Sequence, residues 1–249
     1  MRQTGMEGKS RGCVIVPAYR EAGRIGSVVQ AIRAHLNDVI VVDDGSPDDT
    51  GKEAESAGAV VLRHAVNQGK GAALETAFRE ARQRGYDFVI TMDGDGQHAP
   101  EDLPGFVRAY RESGVPVLVG SRMQDTRSMP LVRRLTNRFM SWLLSCEMGQ
   151  RVPDTQCGYR LYKLAVISGT AIQSARFAAE SEILMDLSHR GITIGSVPIV
   201  TIYGTEKSKI HPLKDALRFF SMLHRYRRTR RGKGGVPGVA RNNSTRRSR

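Results

Sequence analysis

The sequence predicts a single α/β domain with a Rossmann-like, mostly parallel sheet flanked by helices, and three observations lead there. Short β-branched runs alternate with longer segments of helical period. Glycines close the helical segments, and acids or turn residues follow the strands. Such alternation implies right-handed βαβ crossovers. A chain of 249 residues with 40% hydrophobic content is long enough and apolar enough to bury one sizeable core.

"GCVIVPAY" reads as the first strand, and "GRIGSVVQAIRAHL" then places Ile25, Val28, Val29 and Ile32 on one helical stripe. "DVIVVDDGS" is a second strand ending in acids and a turn. "DDTGKEAESAG" follows as a capped helix closed by Gly58, and "AVVLRH" as a third strand. "GKGAALETAFREARQRG" is a helix ending at Gly85, and "YDFVITMD" a fourth strand. "PEDLPGFVRAYRESG" and "VPVLVGSR" repeat the helix and strand once more. After residue 125 the rhythm loosens. An amphipathic helix over "MPLVRRLTNRFMSWLLSCEMG" precedes "RVPDTQCGYRLYK", a loop running into a strand. "AESEILMDLSHRG" is helical, "ITIGSVPIVTIYG" is extended, and "LKDALRFFSMLHRY" is a last helix. No internal repeat is visible.

Ligands of such sheets bind beyond the carboxyl ends of the strands. Tyr19, Asp43, Asp93 and Arg122 each stand at or just past a predicted strand end, so they are expected on one rim.

Composition narrows the function classes. No run reaches the eighteen or so apolar residues of a spanning helix. The N-terminal stretch has no apolar h-region, so no signal peptide is expected. Cys13, Cys146 and Cys157 form no C-x-x-C pair, which suits reduced thiols in the cytoplasm better than a disulfide frame or a zinc site. The net charge of +13 is uneven: residues 225–249 hold nine Arg and one Lys with no acid, which leaves +3 for residues 1–224. The expected organisation is a disordered segment 1–10, a folded domain 11–224 and a basic, disordered tail 225–249. That tail suits either a solvated end or adhesion to an anionic membrane surface or nucleic acid.

"VITMDGDGQH" carries the chemistry. Asp93, Asp95 and Gln97 supply the oxygen ligands a hard divalent cation prefers, although two acids in a turn can equally solvate it or cap the next helix. Their place behind an apolar strand, with Asp43 expected on the same rim, favours Mg²⁺ or Mn²⁺ bridging to a diphosphate. "NQGKGAA" fails the P-loop pattern because His64 and Gly71 occupy required Gly and Ser/Thr positions, so it reads as a helix start near the site.

"VIVPAYREAGRIG", "VIVVDDGSPDDT", "NQGKGAALETAF", "VITMDGDGQHAPEDLP" and "GSR" occur in the order and spacing of the family-2 inverting glycosyltransferases. Within that family they resemble most the polyprenyl-phosphate (dolichyl-phosphate) mannosyl- and glucosyltransferases. The resemblance runs continuously over residues 13–123 and more thinly to 220. It implies a GT-A fold and a GDP- or UDP-hexose donor. It further implies that Pro17, Tyr19, Glu21, Val41 and Asp43 line the nucleoside pocket, and that Asp93, Asp95 and Gln97 hold the metal. Gly94 would let the nucleotide approach closely. Arg122, Arg133 and Lys209 match residues that grip phosphate, and Asp154, Gln156 and Glu182 fall towards the acceptor side. Tyr203 departs from the pattern, standing where relatives have an arginine. Arg133 also suits the solvated face of a helix that exposes Arg134 and Arg138.

Two acceptors follow from this resemblance. A lipid phosphate is already a dianion at neutral pH and needs no general base. A hydroxyl needs a carboxylate to take its proton, for which Asp154, Glu180 and Glu182 are the local candidates. The absence of Q-x-x-R-W, with Trp142 the sole tryptophan, argues against a processive synthase. A lipid acceptor together with the basic tail predicts a peripheral protein at the cytoplasmic face of a membrane; nucleic acid is not expected as a partner.

Overall fold

The computed structural model describes residues 10–124, 129–168 and 178–200. Tyr203, Lys209, the helix expected over "LKDALRFFSMLHRY" and the basic tail lie outside the described residues, as do residues 1–9.

Along the chain run β1 (Gly12–Ala18), α1 (Ile25–Arg33), β2 (Val39–Asp43), α2 (Thr50–Ser56), β3 (Val60–Arg63), α3 (Lys70–Gln83) and β4 (Phe88–Thr91). A 3-10 turn at Pro100–Asp102 leads into α4 (Leu103–Ser113) and β5 (Val117–Ser121). Then come α5 (Leu131–Met148), β6 (Arg160–Lys163), α6 (Leu164–Ile167), α7 (Ala178–His189) and β7 (Ile194–Pro198).

The strands form one sheet in the order β3-β2-β1-β4-β6-β5-β7. β2 is buried at every position, as expected of a strand covered on both faces, whereas β3 at the sheet edge is half-buried. The stripe anticipated on α1 is the one that packs: Ile25, Val28, Val29 and Ile32 are all buried. The helix expected over "DDTGKEAESAG" forms as α2, with Asp48 accepting from the Thr50 amide and hydroxyl at its start.

β6 was not foreseen in its direction. It runs antiparallel to both β4 and β5, which are themselves separated by it. This decides how the site is built. In an otherwise parallel sheet, only a reversed strand brings the loop before it, residues 149–159, to the carboxyl rim. Thr91 at the end of β4 pairs with Arg160 at the start of β6, and the Thr91 hydroxyl donates to the Gly158 carbonyl at 2.6 Å.

Candidate active site

β1, β2, β4 and β5 end on one rim, and Tyr19, Asp43, Asp93 and Arg122 stand there together. The turn after β2 needs glycine: Gly45 has φ +71, and a Cβ there would lie 2.6 Å from the Val66 carbonyl carbon. Arg20, the one non-glycine residue with positive φ among those described, turns the chain after β1, its amide donating to the Ser46 hydroxyl at 3.0 Å.

At the centre of the rim is an ion cluster that sequence reasoning missed. Lys70 Nζ lies 2.5 Å from Asp93 Oδ1 and 3.0 Å from Glu180 Oε1, with the ammonium largely buried. Gly158 forms the floor. A Cβ at that position would lie 3.0 Å from Glu180 Oε1, 3.1 Å from Asp93 Oδ2 and 3.2 Å from Lys70 Nζ, so any side chain would press into the cluster. Burial, the largest single influence, would push the Asp93 carboxyl up, but the Lys70 ammonium together with His98 and Arg160 outweighs it and leaves the group at about 2. The same two carboxylates raise Lys70 against the effect of its own burial. His98, whose Nδ1 accepts from the Asp93 amide at 3.3 Å, is pushed down by burial despite the nearby acids. One signal could have found the cluster. Lys70 opens α3, where the helix dipole disfavours a cation, so a lysine there implies acids close by.

Lys70→Met should leave two carboxylates facing each other without a cation and cost about 3–5 kcal/mol at neutral pH, measured by urea unfolding. The sign of the pH dependence follows from Asp93. Its folded value is depressed, so its stabilisation is complete above about pH 4 and is lost as the pH falls towards 2. The variant should lack that acid-side slope. A wild-type slope in Lys70→Met would assign it to other groups.

The second acid of "DDGS" positions that lysine. Asp44 Oδ1 accepts from the Gln68 amide at 2.9 Å and pairs with His64 Nδ1 at 2.7 Å; Oδ2 accepts from the Gly69 amide at 2.7 Å. His64 Nε2 in turn lies 3.1 Å from the Thr76 hydroxyl. Asp44 therefore ties β2 to the start of α3, immediately before Lys70. The expected pocket residue Asp43 is fully buried, accepting from the Ser46 amide at 2.9 Å and from Arg63 Nε at 3.0 Å. Its carboxylate thus orders the β2 turn. Val41 is likewise fully buried inside β2, in the core instead of on a pocket wall.

Tyr19 is exposed at the rim beneath the Arg20 guanidinium, and Pro17 is half-buried beside it. Glu21 is half-buried, pairing with Arg24 at 3.0 Å while its amide donates to the Thr50 hydroxyl at 2.9 Å. A Cβ on Gly94 would be in ordinary contact with Ile25 Cδ1 at 3.4 Å and Val16 Cγ1 at 3.5 Å, which places residue 94 against the β1–α1 junction.

Arg122 and Asp154, expected on phosphate and acceptor duty, are bound to each other. Arg122 Nε donates to Asp154 Oδ2 at 2.7 Å and Nη2 to Oδ1 at 2.8 Å, a bidentate pair buried on both sides, with the Arg122 amide adding a third bond at 3.2 Å. The physical reason is the reversed β6, whose preceding loop carries Asp154 to the end of β5. Gln156 is half-buried, its amide nitrogen donating to the Thr155 hydroxyl at 3.2 Å, and Glu182 is buried on α7. Beneath them Arg160, also missed from sequence, donates to the carbonyls of Cys157 at 2.6 Å, Thr155 at 2.8 Å and Glu180 at 2.6 Å. It fastens the 155–160 loop to the start of α7, holding Glu180 in reach of Lys70. Arg133 is half-buried, its Nε enclosed and without a hydrogen-bond partner among the described residues. A fully solvated face does not describe it.

The residues present fit a divalent cation of one kind. Asp95 is half-buried at the rim, one oxygen accepting the Gln97 amide at 3.0 Å. Among the described residues no three His, Cys, Asp or Glu side chains form a ready cage. A hard cation that takes one or two carboxylates and completes its shell with phosphate oxygens and water is compatible with this set, and Mg²⁺ behaves that way.

Residues 13–173 match the family described as Glycosyl transferase family 2. The chain is 31% identical over 213 residues to a UDP-N-acetylglucosamine–dolichyl-phosphate N-acetylglucosaminyltransferase of Methanococcus voltae, covering 76% of this chain and 85% of that protein. It is 31% identical over 205 residues to an undecaprenyl-phosphate mannosyltransferase of Micrococcus luteus, covering 77% and 84%. Among solved structures, glucosyl-3-phosphoglycerate synthase of Mycobacterium tuberculosis in complex with UDP superposes with a TM-score of 0.67 at 23% identity, covering 87% of this chain and 80% of that one. That likeness establishes the GT-A arrangement of the sheet and helices.

Proposed function

Since the chain belongs to glycosyl transferase family 2 and is therefore a glycosyltransferase, we propose that it transfers a hexose, with inversion, from a GDP- or UDP-hexose to a polyprenyl phosphate. One observation carries the choice of acceptor. Among the described residues, the three carboxylates expected as candidate bases for an acceptor hydroxyl are already engaged: Asp154 by Arg122, Glu180 by Lys70, and Glu182 by a partner of its own. A site whose candidate bases are engaged in this way suits an acceptor that arrives as an anion, and a phosphate monoester with a second pKa near 6 does so. The names of the dolichyl- and undecaprenyl-phosphate relatives point the same way.

On this reading Pro17, Tyr19 and Glu21 receive the nucleoside, with Asp43 shaping the turn behind it. Asp93, Asp95 and Gln97 hold Mg²⁺ or Mn²⁺, whose contribution is to neutralise charge on the diphosphate leaving group. Lys70 keeps Asp93 ionised and oriented, and Arg133 offers an enclosed guanidinium to a phosphate. Arg122 acts at one remove, stiffening the 154–156 loop on the acceptor side. Lys209 is assigned to the donor diphosphate, the catalytic domain to residues 11–224, and the tail at 225–249 to an anionic membrane surface at the cytoplasmic face.

The test is a screen of UDP- and GDP-hexoses with and without a short-chain polyprenyl phosphate. Transfer should require the lipid phosphate and give no product with simple alcohols. Glycosylation of a soluble alcohol without lipid phosphate would replace this reading with a hydroxyl-acceptor enzyme.

A further inference from the structure

α5 has two apolar faces, and the described residues cover only one of them. At 100° per residue, Asn137, Met140, Ser141, Leu144 and Met148 lie on the side packed into the protein. The opposite side carries Leu131, Leu135, Phe139 and Trp142, with Val132 at its edge, and these are 51–65% exposed. An ordinary surface helix is polar there. Here five large apolar side chains share one face, a concentration that marks an interaction surface.

The charge on this helix indicates what covers the face. Residues 131–146 contain three arginines and no acid, the first being Glu147 in the last turn. Arg134 and Arg138 flank one side of the stripe, and Arg138 is exposed. A Trp, a Phe and leucines bordered by arginines are the composition of a helix lying in a membrane interface, with rings and leucines among acyl chains and guanidinium groups among anionic headgroups. A second protein copy would bring three more arginines, and no acid from residues 131–146, against this face.

The inner side of α5 adds continuity with the site. Ser141 accepts the Thr155 amide at 2.9 Å, next to the Asp154 that holds Arg122. The helix that presents the stripe thus also supports the acceptor-side loop. We propose that the exposed face of α5 is a membrane-docking surface, seated on an anionic bilayer so that the loop at 154–156 is held beside the surface from which a lipid phosphate is drawn. The choice of a bilayer rests on the lipid-phosphate reading above; the surface itself rests on α5.

Trp142 is the only tryptophan in the chain, so intrinsic fluorescence of the full-length protein reports on this face alone. Its emission should be that of a hydrated indole in buffer and move to shorter wavelength on adding vesicles of phosphatidylcholine and phosphatidylglycerol that contain no polyprenyl phosphate. Binding through the basic tail alone would leave the emission unmoved. Leu135→Glu with Phe139→Glu, both at exposed positions, should weaken vesicle partitioning by about tenfold or more. The same variant should retain transfer to a short, water-soluble polyprenyl phosphate. Emission unchanged by vesicles would overturn the proposal. Emission already at short wavelength without lipid would also overturn it, because the face would then be covered by residues 201–249 or by a second copy. Failure of the soluble transfer assay in wild type, with the vesicle shift intact, would overturn the acceptor reading and leave the docking surface standing.

Discussion

Asp95→Asn is expected to lower kcat/KM by about 10²-fold or more while leaving the melting temperature nearly unchanged. Asn keeps the oxygen that accepts the Gln97 amide, so the local turn survives. What it loses is the charge that would help hold a cation against a diphosphate, a loss felt most as the leaving group gains negative charge. Asp95 suits this experiment better than Asp93. Asp93 is tied to Lys70 and Glu180 through the buried ion cluster, so its replacement would mix catalysis with stability. The check is steady-state kinetics in Mg²⁺ or Mn²⁺, beside wild type in EDTA. Full activity of the variant, or of wild type without metal, would move the cation away from this turn.

Asp154→Ala is expected to cost stability as heavily as Lys70→Met, at about 3–5 kcal/mol. The reason is asymmetric. The intact bidentate pair balances desolvation against attraction and contributes modestly, but removing the acid leaves the Arg122 guanidinium buried and uncompensated. The amide of Arg122 loses a bond as well. Urea unfolding at neutral pH measures the cost as a fall in the midpoint at constant slope. Activity should fall too, because Thr155 and Gln156 belong to the same loop. A cost below about 1 kcal/mol would mean that Arg122 is free to turn towards a ligand, which would return it to phosphate binding.

Much of this molecule is legible residue by residue. The apolar stripe of α1, the buried β2 and the placing of Tyr19, Asp43, Asp93 and Arg122 on one rim all follow from periodicity and from the rule that parallel strands present their ligands at their carboxyl ends. These are local properties, or consequences of chain direction, and each can be read within a dozen residues. The glycine after β2 belongs with them, since a turn that tight excludes any Cβ.

Pairing across the sheet is another matter. Lys70 meets Asp93 and Glu180 over separations of 23 and 110 residues, and Arg122 meets Asp154 over 32. Asp154 and Glu180 are brought there by the direction of β6, and a four-residue strand carries no mark of its direction. Once β6 is reversed, the loop before it must lie on the rim, and its carboxylate and its glycine floor come with it. The sequence by itself determined the α/β class, the rim and the residue types gathered there. Only the tertiary structure decided which of the charged residues are spent on one another and which remain available to a ligand, because a buried charge takes whatever counter-charge the packing brings within about 3 Å.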